Sequence, residues 1–297
     1  MLIRSAQHVA RWSTCFLAFA ASFAPSGRAE AVGLRLPGVA KSQNLLPQAG
    51  FSFRSVLISP QYAQQAETPL PLSWWEAGSD SPVAIAIGYA EGTRQADGSR
   101  TAAYYWHSDP GNAADNFGSF SFQHFRPQEK AVVEQQTSTD DKRWAAARRA
   151  LPELADRRQM LRLRQFHDQL LAQAKAKNLE LSPLELLNGL DLANQSELAA
   201  LDDWGYIDRL VQAKQRYRDP DAQILQARTW AYWHPTRNAW DAPGLGNNQA
   251  SITADQQRRA TAVKQVLAQV EARPTLLDQL DPRAVAIAPQ KPAPTGD

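Results

Sequence analysis

Ser79-Asp80-Ser81-Pro82-Val83-Ala84-Ile85-Ala86-Ile87-Gly88-Tyr89-Ala90-Glu91-Gly92-Thr93 is the stretch whose reading decides the fold. Val83, Ile85, Ile87 and Tyr89 alternate with Ala84, Ala86, Gly88 and Ala90, which is a strand pattern. The flanks argue otherwise. Ser79-Asp80-Ser81 offers capping hydroxyls and a carboxylate, and Pro82 suits a first helical turn because its missing N–H is not needed there. The stretch therefore predicts a buried helix ending at Glu91-Gly92. It leaves one carboxylate, Glu91, at the end of a very apolar run, where burial disfavours ionisation and raises the pKa.

Downstream the helical signal is plain. From Asp140 to Asn178, Leu151, Leu154, Met160, Leu161, Leu163, Phe166, Leu170 and Leu171 recur at helical spacing. Ser182-Pro183-Leu184-Glu185 is a capping box with a first-turn proline, opening a helix to about Asn194. Ser196 starts another, with Leu198, Leu201, Trp204, Ile207, Leu210 and Val211 on its apolar face. Asp219-Pro220 opens a fourth, carried to Trp233 and stopped by His234-Pro235. Thr253-Ala254-Asp255-Gln256 begins the last. Between these helices and the opening one lies a polar, aromatic segment, Thr93 to Arg126. Its Asp97-Gly98 turn and Thr101 to Trp106 predict one small β-hairpin. The fold class expected is mainly α, a helical domain over residues 82–283.

Upstream, Arg4 and Arg11, the apolar Ser13 to Phe23 and Ala29-Glu30-Ala31 have the three parts of a signal peptide over residues 1–31. The apolar core is short of the ~20 residues of a spanning helix, so no stable membrane insertion is expected after cleavage. Residues 32–81, with Pro37, Pro47, Pro60, Pro69 and Pro71, read as an extended irregular arm. Residues 284–297 read as a disordered tail. Cleavage would remove Cys15, the single cysteine, which excludes disulfides from the mature chain. Taking Arg4, Arg11, Arg28 and Glu30 from 32 basic and 30 acidic residues leaves 29 of each. That balance argues against nucleic acid as a partner, because phosphate binding needs a basic surplus. The nine tryptophans suit either a core or a carbohydrate surface.

A carboxylic acid kept protonated near neutrality can protonate a departing glycosidic oxygen. The alternative for Glu91 is a turn cap or an ion pair with Arg94 or Arg100. A buried helix ending in Glu91-Gly92-Thr93, followed by Gly118-Ser119-Phe120-Ser121-Phe122-Gln123, resembles the lysozyme-like superfamily, which includes phage-type lysozymes and lytic transglycosylases. The resemblance covers residues 82–125. It implies a lysozyme-like helical domain with Glu91 as general acid and Gly118, Ser119 and Gln123 in the element that follows. It also implies an exported, periplasmic or extracellular enzyme that cleaves peptidoglycan or a related amino-sugar polymer.

Asp97, Asp109 and Asp115 are available as a second carboxylate. Asp109 is preferred because His107, Asn112 and Asn116 surround it with polar groups, although turn-making before Pro110-Gly111 also explains it. Tyr104 and Trp240 are candidate sugar-stacking rings, and the adjacent amides of Asn247 and Asn248 are candidates for gripping sugar hydroxyl or acetamido groups. An ordinary connecting loop is the other reading of Asn247 and Asn248. No HExxH or paired-histidine spacing and no phosphate-binding glycine loop is present, so no metal or cofactor is expected. Two other classes stay open: a non-catalytic exported module that binds glycan or protein, and a structural envelope protein. The leader makes a direct prediction. N-terminal sequencing of exported protein should begin at Val32, and intact Met1 to Ala31 in that material would contradict it.

Overall fold

The computed structural model of the chain describes residues 70–272. The leader, residues 32–69 of the arm and the tail lie outside them. The fold is mainly helical, with two small antiparallel hairpins. The arm's last twelve residues, 70–81, depart from the irregular reading. They form a helical turn α1 (Ser73–Glu76) and a 3-10 turn (Gly78–Asp80), and Leu70 and Trp75 are buried in the main core. Pro71 precedes the first turn, and two large apolar side chains, Leu70 and Trp75, hold the segment down.

The opening stretch is helix α2 (Pro82–Glu91). Ser81 Oγ accepts the Ala84 N–H at 3.2 Å, and Gly92 closes the helix at φ +79°, donating to Gly88 and Tyr89 carbonyls. Val83, Ala84, Ala86, Ile87, Gly88, Ala90 and Glu91 are all buried. A helix wrapped on nearly every side needs no polar face, so its sequence carries no 3.6-residue contrast and passes for a strand.

The first hairpin exists but is displaced from its expected place. Ala102–Tyr105 is a helical turn, α3, and the strands are β1 (His107–Ser108) and β2 (Asp115–Asn116), with His107 opposite Asn116. Helices α4 (Pro127–Glu134) and α5 (Thr139–Arg148) follow, and then the long α6 (Leu151–Ala176). The periodic run from Asp140 is thus two helices. Pro152 has no N–H to continue the ladder, and Ala150 turns the chain at φ +50°. Leu161 is 67% exposed, on the outer face of α6.

Helix α7 (Pro183–Gln195) opens on the expected box: Ser182 Oγ accepts the Glu185 N–H, and Glu185 Oε2 accepts the Ser182 N–H at 2.8 Å. The next predicted helix is also split, into α8 (Glu197–Leu201) and α9 (Tyr206–Arg216). Gly205 lies so close to the Ala200 carbonyl that a Cβ there would approach it to 2.7 Å. Helix α10 (Pro220–Trp230) ends before Trp233, because Trp233–His234 (β3) pairs with Ala239–Trp240 (β4) in a second hairpin. Helix α11 (Gln249–Ala272) starts earlier than Thr253, since Asn248 Oδ1 caps it by accepting the Ser251 N–H at 2.9 Å.

The main core joins α2, α6, α7, α9, α10 and α11, and a smaller aromatic cluster of Trp106, Phe117, Phe125 and Leu151 sits under the first hairpin. Among the described residues no helix is long and apolar enough to cross a membrane. Replacing Ser182 by Ala removes one half of the capping box. The expected cost is about 1 kcal/mol, a fall of roughly 2–4 °C in melting temperature for a domain of this size. An unchanged melting curve would mean that the box contributes nothing.

Candidate functional site

Helix α2 delivers Glu91 into the centre of the molecule, where it is 0% exposed. Its Oε1 accepts from Arg259 Nη2 at 2.7 Å and from Asn194 Nδ2 at 2.9 Å, while Oε2 is buried with no hydrogen-bond partner. The expected alternatives, Arg94 and Arg100, pair elsewhere: Arg94 with Asp80, Arg100 with Asp80 and Glu153. Arg259 also grips Asp191, through Nε to Oδ2 at 2.9 Å and Nη2 to Oδ1 at 2.7 Å. Asp191 Oδ2 accepts in turn from Arg228 Nη2 at 2.6 Å. Two acids from α2 and α7 and two guanidiniums from α10 and α11 therefore form one connected set, none more than 1% exposed.

The two acids are not equivalent. Burial pushes the Glu91 carboxyl above its ordinary value; Arg259 and Asn194 pull it down, and the Asp191 charge adds to the rise. Asp191 is equally buried, yet two guanidiniums outweigh burial and hold it below the usual carboxylate range. Asp191 is held down by two cations, whereas Glu91, which shares a single cation at one oxygen, has its carboxyl pushed up by burial.

Glu91 adjoins the Gly118–Gln123 element. Asn194, which is partly exposed, donates through Nδ2 to both Glu91 Oε1 and the Phe120 carbonyl, the latter at 3.3 Å. Thr93 Oγ1 donates to the Ser119 carbonyl at 2.7 Å. The two halves of the sequence motif are thus in contact.

Ser119 itself is occupied structurally. Its N–H and Oγ donate to Asp156 at 2.6 and 2.9 Å, and its Oγ accepts from Arg94 Nε at 2.7 Å. Gly118, at φ +77°, lets this turn reach Asp156: a Cβ there would come within 2.4 Å of Asp156 Oδ1. Burial raises the Asp156 carboxyl to about 6 against the Ser119 hydrogen bonds and the Arg94 charge.

The other candidates separate from Glu91. Asp109 belongs to the first hairpin, where Oδ1 accepts the Gly111 N–H at 2.7 Å and the Asn112 N–H at 3.2 Å. That is the turn-making role; it shares no hydrogen-bond partner with Glu91. Burial pulls the pKa of its neighbour His107 down, and the ring bonds the Ala103 carbonyl at 2.8 Å. Tyr104 is 0% exposed between Arg94 and Arg100, so it offers no face to a ligand. Gln123 accepts from Asn112 Nδ2 at 3.0 Å on the partly exposed side of the loop.

Asn247 Oδ1 accepts the Ala242 N–H at 2.7 Å and Asn248 caps α11, so both amides serve the connecting loop. Trp240 packs edge-on against Trp233 at 5.1 Å. The residues that surround Glu91, namely Asn194, Asp191, Arg228 and Arg259, were not singled out from the sequence. The sole local hint was an acid or a base on otherwise apolar helix faces, such as Asp191 between Leu190 and Leu192.

Asp156 gives the site a pH signature. Its folded pKa of about 6 lies above the ordinary 3.8, so between these values the folded chain holds a proton the unfolded chain has released. This carboxyl's contribution is therefore fully present below about pH 4 and is lost as pH rises through 6, by about 3 kcal/mol at most. Asp156→Asn should remove that slope. Urea denaturation of both proteins at pH 4 and pH 7 measures it, and an identical pH dependence would contradict the assignment.

Neither a scan of protein-family models nor searches of curated proteins and of solved structures finds a match for this chain.

Proposed function

We propose that the protein is an exported glycan-cleaving enzyme, muramidase or lytic transglycosylase-like, acting on peptidoglycan or a related amino-sugar polymer with Glu91 as general acid. The observation that carries this reading is the asymmetry of the Glu91 carboxyl. Oε1 is fixed by Arg259 and Asn194, while Oε2 has no hydrogen-bond partner and burial pushes the carboxyl up; in this reading Oε2 carries the acid's proton. As the glycosidic C–O bond breaks, that proton passes to the leaving oxygen. The carboxylate left behind is already facing Arg259, so no charge has to be recruited when it forms.

Among the described residues, the two acids weighed as a second carboxylate are both committed elsewhere. Asp191 has both oxygens committed to guanidiniums, and Asp109 is committed to its turn. The reading therefore favours the route in which the substrate's own acetamido group assists and one acid suffices.

The zero exposure of Glu91 and its bond to Arg259 favour a second reading, in which the four charges are a structural brace and the protein is a non-catalytic glycan- or protein-binding module. Glu91→Gln separates the two. If Glu91 is the protonated acid, glutamine reproduces its neutral form, so stability stays within about 1 kcal/mol while release of muropeptides from peptidoglycan falls by ~10²–10⁴. If Glu91 is an ionised brace, glutamine leaves an uncompensated buried guanidinium, costing about 3–5 kcal/mol. A wild type that releases nothing above background, or a variant as active as wild type, would remove the catalytic reading.

A further inference from the structure

Arg209, on α9, is 7% exposed, and among the described residues it makes no ion pair. Its Nη2 donates to the Trp233 carbonyl at 2.9 Å and its Nη1 to Gln212 Oε1 at 3.3 Å; its Nε has no partner. The adjacent carboxylate, Asp208, is committed to Lys177 Nζ at 2.6 Å and to the Trp204 N–H at 3.1 Å. Burial correspondingly pulls the Arg209 pKa down. A guanidinium largely out of water with only neutral acceptors is an uncommon expense, because buried cations ordinarily hold a carboxylate.

One indole lies against this cation, and two more meet beside the backbone carbonyl it holds. Trp204 lies with its ring centroid 5.7 Å from the guanidinium carbon and is 51% exposed. Trp233, whose carbonyl Arg209 holds, meets Trp240 across the second hairpin, and both rings are partly exposed. Trp204 is also conformationally costly. It sits at φ +66°, a left-handed backbone that a bulky residue adopts with strain, and its exposure means that core packing does not compensate. Folding alone would be better served by glycine at this position.

We propose that Trp204, Arg209 and the Trp233–Trp240 pair form a binding surface for a carboxylate-bearing saccharide of the uronic-acid type. The apolar C–H face of the pyranose stacks on the Trp204 indole, and its carboxylate meets the Arg209 guanidinium. A sugar acid presents both features within one ring, and it supplies the negative charge that the protein withholds from Arg209. This surface does not rest on the Glu91 reading, since none of its residues is hydrogen-bonded to Glu91, Asp191, Arg228 or Arg259.

The test uses the full chain, titrated with trigalacturonate and, in parallel, with neutral cellotriose, which carries no amino sugar, by calorimetry and tryptophan fluorescence. The acidic sugar is expected to bind, more weakly as salt rises, and cellotriose to bind at least about tenfold more weakly. Trp204→Gly should weaken trigalacturonate binding about tenfold or more while its melting temperature stays level or rises. Arg209→Gln should weaken the acidic sugar and leave cellotriose unaffected. Absence of trigalacturonate binding at millimolar concentration, equal binding of both sugars, or wild-type affinity in Trp204→Gly would overturn the proposal. If Arg209→Gln fails to fold, the Trp204→Gly and sugar-pair results still decide it.

Discussion

Two arginines and two acids buried without water are the constraint from which the rest of the fold follows. Glu91, Asp191, Arg228 and Arg259 come from four different helices, and each lies where an isolated charge would be untenable. Their mutual bonds, with Asn188, Gln195, Gln256 and Tyr232 completing the outer contacts, fix which way each helix is rotated about its axis. Apolar packing among Leu, Ile, Val and Ala tolerates small slips between neighbours, whereas a guanidinium divided between two carboxylates does not. The network therefore does for orientation what the apolar core does for compaction.

The same network explains which parts of the structure the sequence discloses. Local chemistry was readable: the Ser81-Pro82 start of α2, the Ser182/Glu185 box and the Asp219-Pro220 cap all appear where the residues put them. Two helices ran on too far in the sequence reading, because periodic apolar residues continue across Ala150 and across Trp204-Gly205. Nothing in a hydrophobic pattern registers a positive φ on an alanine or a tryptophan. The second hairpin was missed for a related reason, since its two-residue strands are set by the Trp233–Trp240 contact and not by alternation.

At the site, Glu91 was conspicuous as an acid in an apolar stretch, and the neighbouring Gly118–Gln123 turn does approach it. Its partners were not legible. Asn194 lies 103 positions away and Arg259 168 positions away, separations over which no spacing rule operates. Polar loops misled in the opposite direction. Asp109, Ser119, Asn247 and Asn248 looked available for ligands, yet each is used by its own backbone or by a buried neighbour. In a segment with few regular hydrogen bonds, side-chain amides and carboxylates are the groups that satisfy the main chain.

The distance in sequence between Glu91 and Arg259 has a consequence for how the chain matures. Helix α11 is the last described element to be synthesised, and without it Glu91 lacks Arg259 and Asp191 keeps only one of its two guanidiniums. The bonds at the centre of the molecule are therefore completed only when α11 docks. Contacts of such long range slow folding, because the intervening chain is ordered before they reward it. A chain arranged this way remains loosely assembled through most of its synthesis and acquires its rigidity at the end, all at once.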